Sequence, residues 1–207
     1  MNSCACLVVL FCNNRLLQYG GDMAIGAYGI VNRVVFLFVT IVMGLVQGMQ
    51  PIIGYNFGAR RFDRVKETLK QTLWWAIGVT FTGFALCEGI PELIARAFTT
   101  DVTLIENASK GMRISCMFII LAGIQMVATN LFQSVGKVNK AIFLSLTRQV
   151  LFLIPLLIIM PRYLGEDGVW YSIPIADFIS GIFAIILLKQ QFNHWNNPAF
   201  AADKVQK

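Results

Sequence analysis

Charge is scarce in this sequence. Asp, Glu, Lys and Arg make up only 14% of its 207 residues, too few to cover the surface of a water-soluble domain of this length. Histidine occurs once, at His194, which excludes a His-based catalytic set and argues against a zinc centre. The five cysteines (Cys4, Cys6, Cys12, Cys87 and Cys116) form no CxxC pair and read as small buried apolar residues. Glycines are plentiful, yet no GxxxxGK[ST] phosphate loop occurs, so nucleotide hydrolysis is not indicated. The opening "MNSCACLVVLFCNN" lacks a basic n-region and a small-residue cleavage site; it reads as part of a helix, not as a signal peptide. Nothing here equips an enzyme, and neither a cofactor nor a bound metal is expected.

Apolar length is what the sequence has. Hydrophobic residues make up 57% of it, and several nearly uncharged windows approach the 18 or so residues that cross about 30 Å of hydrocarbon. The expected fold is all-α, a polytopic membrane bundle of six apolar segments at about 4–18, 24–50, 68–90, 114–134, 141–160 and 169–189. Residues 1–190 would form this six-helix unit, and 191–207 a polar cytoplasmic tail. The first segment is short, because the 14 or so residues before Arg15 rise only about 21 Å as a helix. The net charge of +6 would otherwise point to nucleic acid, but the cations lie between apolar runs, where they orient helices. With the 51–70 connection in the cytoplasm, eleven cations fall on that side and six on the other. That places the C-terminus in the cytoplasm and the chain in the plasma (inner) membrane as a multi-pass protein. Trp74, Trp75, Trp170 and Trp195 all fall near predicted interfaces, where indoles favour the headgroup level.

The stretch "QGMQPIIGYNFGARRFDRVKETLK" joins the second and third segments. Gly44 and Gly48 form a GxxxG that lets a second helix approach closely. Pro51 removes a backbone donor and disfavours helical geometry at Gln50, so the helix is expected to stop there. Gly54 and Gly58 would give a flexible turn, the cations would anchor at the headgroups, and Asp63 would cap the third helix.

The motif Gln47, Gly48, Gln50, Pro51, Gly54, Tyr55, Asn56, Gly58 in "GLVQGMQPIIGYNFGARRFDRVK" resembles the connection after the eighth helix of the multidrug and toxic compound extrusion (MATE) family. "NNRLLQYGGDMAIGAYGIVNRV" upstream and "FQSVGKVNKAIFLSLTRQVLFLIPLLIIMPRYLGEDGVWYSIPIAD" downstream agree in order, so the resemblance covers nearly the whole chain. It implies one lobe, helices seven to twelve, of a twelve-helix antiporter that exports small cationic or aromatic drug-like substrates against H⁺ or Na⁺. The partner it implies is an N-terminal lobe, from the same gene or a second chain. A lipid-linked oligosaccharide flippase of the same superfamily and a truncated, non-transporting remnant are the alternatives.

Charges within apolar segments are costly and mark either static pairs or working sites. Asp177 lies about 12 Å in from one face and Arg33 about 15 Å in from the same face. An Asp177–Arg33 ion pair is therefore expected, either fixing the sixth helix on the second or coupling a cation. Gln125 and Asn130, roughly a turn apart, and Asn32 are candidates for lining a cavity or bonding neighbouring helices. Related pumps often carry an acidic residue in the helix of Gln125 and Asn130, and this chain has none there. Of the cations, only Arg33 and Arg148 lie clearly within apolar segments, fewer than a diphosphate-binding flippase needs.

Overall fold

A computed structural model describes the backbone of residues 2–196 and the side chains of residues 8–195. The side chains of Cys4 and Cys6, and the tail beyond 196, lie outside those described. All elements are helical, with no strand among the described residues. Helix α1 (Asn2–Gly58) is two arms broken at Gly21, whose φ of 70° is a left-handed conformation that suits glycine. The arms fold back on each other. Cys12 and Tyr28 belong to one buried cluster, whereas a straight helix would hold them about 24 Å apart. Gly20 is needed beside it, because a Cβ there would lie 2.5 Å from that of Ala24. The first two apolar segments are these two arms.

Next come α2 (Phe62–Gly89), the short α3 (Pro91–Arg96), α4 (Val102–Cys116) and α5 (Ile119–Ser134). A final pair follows, α6 (Val138–Leu146) continuing through a π-helical segment (Thr147–Leu153) into α7 (Ile154–Leu164), then α8 (Glu166–Asn196). Among the described residues, three helices are long and apolar enough to cross a membrane, or four if α4 and α5, bent by 51°, count as one span. Because α1 is folded double, it supplies two arms to that bundle.

Several expectations need correction. Helix α1 does not stop at Gln50 but continues through Pro51 to Gly58. Pro51 sits on the exposed side of the helix, where its ring displaces no neighbour, and in a membrane a helix is the cheapest way to satisfy the flanking backbone. The turn is not made by Gly54 or Gly58. Arg60 takes the left-handed conformation (φ 56°), and the Arg60 and Arg61 N–H groups donate to Phe57 O and Asn56 O at 3.1 and 2.8 Å, a Schellman closure. Asp63 lies inside the first turn of α2, whose N-cap is Arg61. There its charge suits the helix dipole without capping it. Gly44 and Gly48 are exposed, and nothing lies within 4 Å of a Cβ built on either, so no helix among the described residues uses the GxxxG. The stretch before the fourth segment is the helix α4. Residues 191–196, expected in a polar tail, continue α8, with Gln191 and Trp195 buried. Trp170 is likewise buried, against Tyr28 (ring centroids 6.0 Å apart), so only Trp74 and Trp75 are exposed like interfacial anchors.

Two apolar clusters stack along the bundle. One gathers Leu16, Ala27, Cys87, Met112, Cys116, Leu157 and Trp170. The other gathers Val46, Ile53, Leu69, Leu131, Leu144 and Trp195 at the end with the α1–α2 turn. The buried Cys12, Cys87 and Cys116 are free thiols and pack as small apolar groups.

The α7–α8 hairpin is tight. Gly165 turns it at φ 60°, and a Cβ on Gly168 would lie 2.5 Å from the Met160 carbonyl, a backbone atom that cannot swing away. Gly168→Ala is therefore expected to cost about 1–3 kcal/mol by overpacking, whereas Gly29→Ala, inside α1 with nothing within 4 Å, should be neutral or stabilising by up to about 1 kcal/mol. Thermal unfolding of the two variants in detergent measures the difference.

Candidate functional site

A layer of polar side chains lies where the two apolar clusters meet. On α2 it is marked by Thr80, between Ala76 of one cluster and Cys87 of the other. On α8 it is Asp177 and Ser180, on the π segment Thr147 and Arg148, and about two turns further along the bundle Gln125 on α5, since Phe118 packs on Phe178 and Gly181 on Leu121. Asp177 is 5% exposed, and Arg148 Nε donates to its Oδ1 at 2.7 Å. A carboxylate this buried survives by such pairing.

The expected partner was Arg33; the pair is made by Arg148 instead. Arg33 has a suitable depth, but it projects from the uncovered side of α1 and is exposed. Depth was legible, azimuth was not. Arg148 is presented by a π-helical stretch, a widened backbone that recurs at functional sites. Pro155 lies just beyond it at the start of α7. A proline inside a continuous helix cannot donate to the preceding turn and crowds its carbonyl, which accounts for the widening. One turn before, Gln125 Nε2 donates to the backbone Leu144 O at 3.1 Å, tying α5 to α6. The signal in "TRQVLFLIP" was an arginine and a proline within one apolar segment.

Gln125 and Asn130 do not share a face. Gln125 is buried toward α6, whereas Asn130 Oδ1 accepts from Gln50 Nε2 of α1 at 2.7 Å and its amide donates to Met126 O. Gly54 lies beside the end of α5, where its Cβ would be 3.8 Å from Ser134 O. The motif therefore splits. Gln50 and Gly54 face α5, while Gln47, Gly48, Pro51, Tyr55 and Gly58 are exposed, and Asn56 bonds back to Ile52 O at 2.8 Å. The exposed set continues up α1 through Gly44, Thr40, Leu37, Phe36, Arg33 and Asn32. The structure brings Asp177 near neither Asn32 nor Arg33; they belong to this open face.

The family model MatE matches residues 1–159. The chain belongs to the MatE family. Multidrug export protein MepA of Staphylococcus aureus is 31% identical over 176 residues, which is 84% of this chain and 38% of that protein. MepA of Staphylococcus haemolyticus is 28% identical over 179 residues, again 84% and 38%. Among solved structures, the MATE multidrug transporter DinF-BH is 39% identical, with a TM-score of 0.82 over 94% of this chain and 44% of that one. A MATE structure in the bent conformation superposes with a TM-score of 0.86 at 17% identity, over 94% of this chain and 43% of that one, which speaks to fold alone. This MatE chain thus spans less than half the length of these relatives, consistent with one lobe of a two-lobed transporter, and those relatives are transporters rather than enzymes.

Asp177→Ala would leave the Arg148 guanidinium in the polar layer without its partner and is expected to destabilise the bundle by about 3 kcal/mol. The double substitution R148M/D177L, which removes both charges, should recover most of that loss in the same thermal unfolding measurement.

Proposed function

We propose that this chain is the C-terminal lobe of a cation-coupled antiporter exporting cationic, drug-like molecules from the cytoplasm, completed by an N-terminal lobe from the same gene or a second chain. The observation that carries this reading is the uncovered face of α1. Asn32, Arg33, Thr40 and Gln47 lie exposed along an otherwise apolar arm, next to the small residues Gly44 and Gly48. Polar groups inside a span face a protein partner or a water-filled cavity, not lipid. A second lobe seated across this face would enclose Asn32 and Arg33 in a central cavity and use the glycines for close approach.

Asp177, with Arg148 as its counter-ion, is the proposed H⁺ or Na⁺ site. Neutralising the carboxylate would free Arg148 and loosen α8 from the π segment, so ion occupancy and helix packing change together. Arg33 stands on the cavity wall instead of pairing with Asp177, where its like charge weakens the hold on a cationic drug. The flippase alternative weakens further, since with Arg148 engaged by Asp177 only Arg33 remains of the two intramembrane cations. The excess of cations at the α1–α2 turn supports a cytoplasmic location for that turn and for the C-terminus, in the plasma membrane.

In vesicles containing the complete transporter, Asp177→Asn is expected to abolish drug-dependent H⁺ or Na⁺ flux while leaving drug binding measurable. Unchanged flux in a folded variant would remove Asp177 from coupling. Arg33→Ala is expected to change drug affinity, read as the drug concentration at half-maximal flux, with little change in ion dependence.

A further inference from the structure

At the end of the bundle opposite the α1–α2 turn, α3, α4 and the start of α8 enclose an open cleft of about 910 Å³. Its chemistry is mixed. Arg96 of α3 and Arg113 of α4 border both this cleft and a smaller adjoining one, and among the described residues neither makes an ion pair. Glu92 and Glu106 stand on the same walls. The third cation, Lys110, is already committed to Asp167 at 2.6 Å. Ser109 of α4 belongs to the same lining but is only 8% exposed. The α4 N-terminus is not free for a ligand, because Asp101 Oδ1 already accepts from the Thr103 and Leu104 N–H groups at 2.9 and 3.2 Å.

The rim is greasy. Leu93 of α3 is 65% exposed, Phe98 just past Arg96 45%, and Val102 at the start of α4 76%. Exposed apolar side chains beside exposed guanidiniums, at the tip of a membrane bundle, match the boundary between acyl chains and headgroups.

We propose that this cleft binds the headgroup of a zwitterionic phospholipid. Arg96 and Arg113 hold the phosphodiester, which the planar guanidinium fork suits. Glu92 and Glu106 face the headgroup ammonium, and the acyl chains leave over Leu93, Phe98 and Val102. The acids are what select the lipid class, since they would repel a purely anionic headgroup.

The test is native mass spectrometry of the purified full chain in detergent, titrated separately with phosphatidylethanolamine, phosphatidylglycerol and inorganic phosphate. The wild type should retain phosphatidylethanolamine, and R96Q/R113Q should lower its apparent affinity at least about ten-fold. Arg64→Gln, at the other end of the bundle, should leave retention unchanged. E92Q/E106Q should shift preference toward phosphatidylglycerol, a readout that a merely unfolded variant would not give. Equal retention by wild type and R96Q/R113Q would overturn the proposal. So would displacement of the lipid by millimolar inorganic phosphate, which would make this a site for a soluble anion. Wild-type preference for phosphatidylglycerol would overturn the zwitterionic assignment.

Discussion

The ion pair between Arg148 and Asp177 is the constraint on which the middle of this bundle depends. A carboxylate only 5% exposed in an apolar interior has to be neutral, paired or unstable, and one 2.7 Å contact decides the matter. Reaching that contact places demands on three helices. The backbone carrying Arg148 is widened into a π turn before Pro155, Gln125 crosses from α5 to the Leu144 carbonyl, and α8 places Asp177 three residues past Pro174. The neighbouring residue, Phe178, rests against Phe118 at a ring separation of 4.9 Å, at the bend between α4 and α5. Apolar clusters on either side shelter Asp177, while Arg148 keeps 27% of its side chain exposed, so the pair is worth more than a surface bridge and less than a fully buried one.

A second constraint acts at the surface. Only 33% of the most apolar window of α1 is buried within the chain, although this helix supplies residues to both apolar clusters. Its inner side, through Val42, Val46, Met49 and Ile53, is closed by the rest of the bundle. Its outer side mixes Arg33, Thr40 and Gln47 with large apolar groups such as Phe36 and Tyr55. Lipid alone is a poor solvent for that mixture. A lobe that contacts another lobe along α1 would leave such a face when seen alone, and a span of 38–44% of its relatives' lengths fits the same picture.

Much of the helical order was legible because apolar run length survives any detail of packing. The six segments map onto the arms of α1, α2, the bent α4–α5 pair, the helix through the π segment, and α8. What sequence could not reveal was direction around each helix. Arg33 and Arg148 are equivalent by composition; only the rotation of α1 against its neighbours sends one outward and lets the other meet Asp177. Local rules also yielded to the environment at Pro51, where the continuing helix satisfies backbone that would otherwise lie unpaired near the membrane. They yielded again at Arg60, a non-glycine residue holding a left-handed turn that Gly58, two residues earlier, was better suited to make. Trp170 and Trp195 read as interfacial from their position, yet close contacts with Tyr28 and with Phe57 and Phe62 draw them into the core. The cleft was invisible for a different reason, since nearly all of its lining comes from the consecutive α3 and α4 and only their packing angle opens it.

Interrupted backbone ladders recur at one level of the structure. The π segment before Pro155, Pro174 in α8 and the 51° break between α4 and α5 all lie around the layer that holds Asp177. Helices bend most easily where the i to i−4 ladder is already broken, whereas the two apolar clusters above and below are continuous and resist deformation. The lobe is thus two stiff blocks joined through a softer polar layer, with the Arg148–Asp177 contact crossing it from the π segment to α8. On the antiporter reading, a bound cation at Asp177 competes with the same interaction that fixes those two elements. The energy of ion binding is then exchanged directly for helix packing, with no need for a relay to a distant hinge.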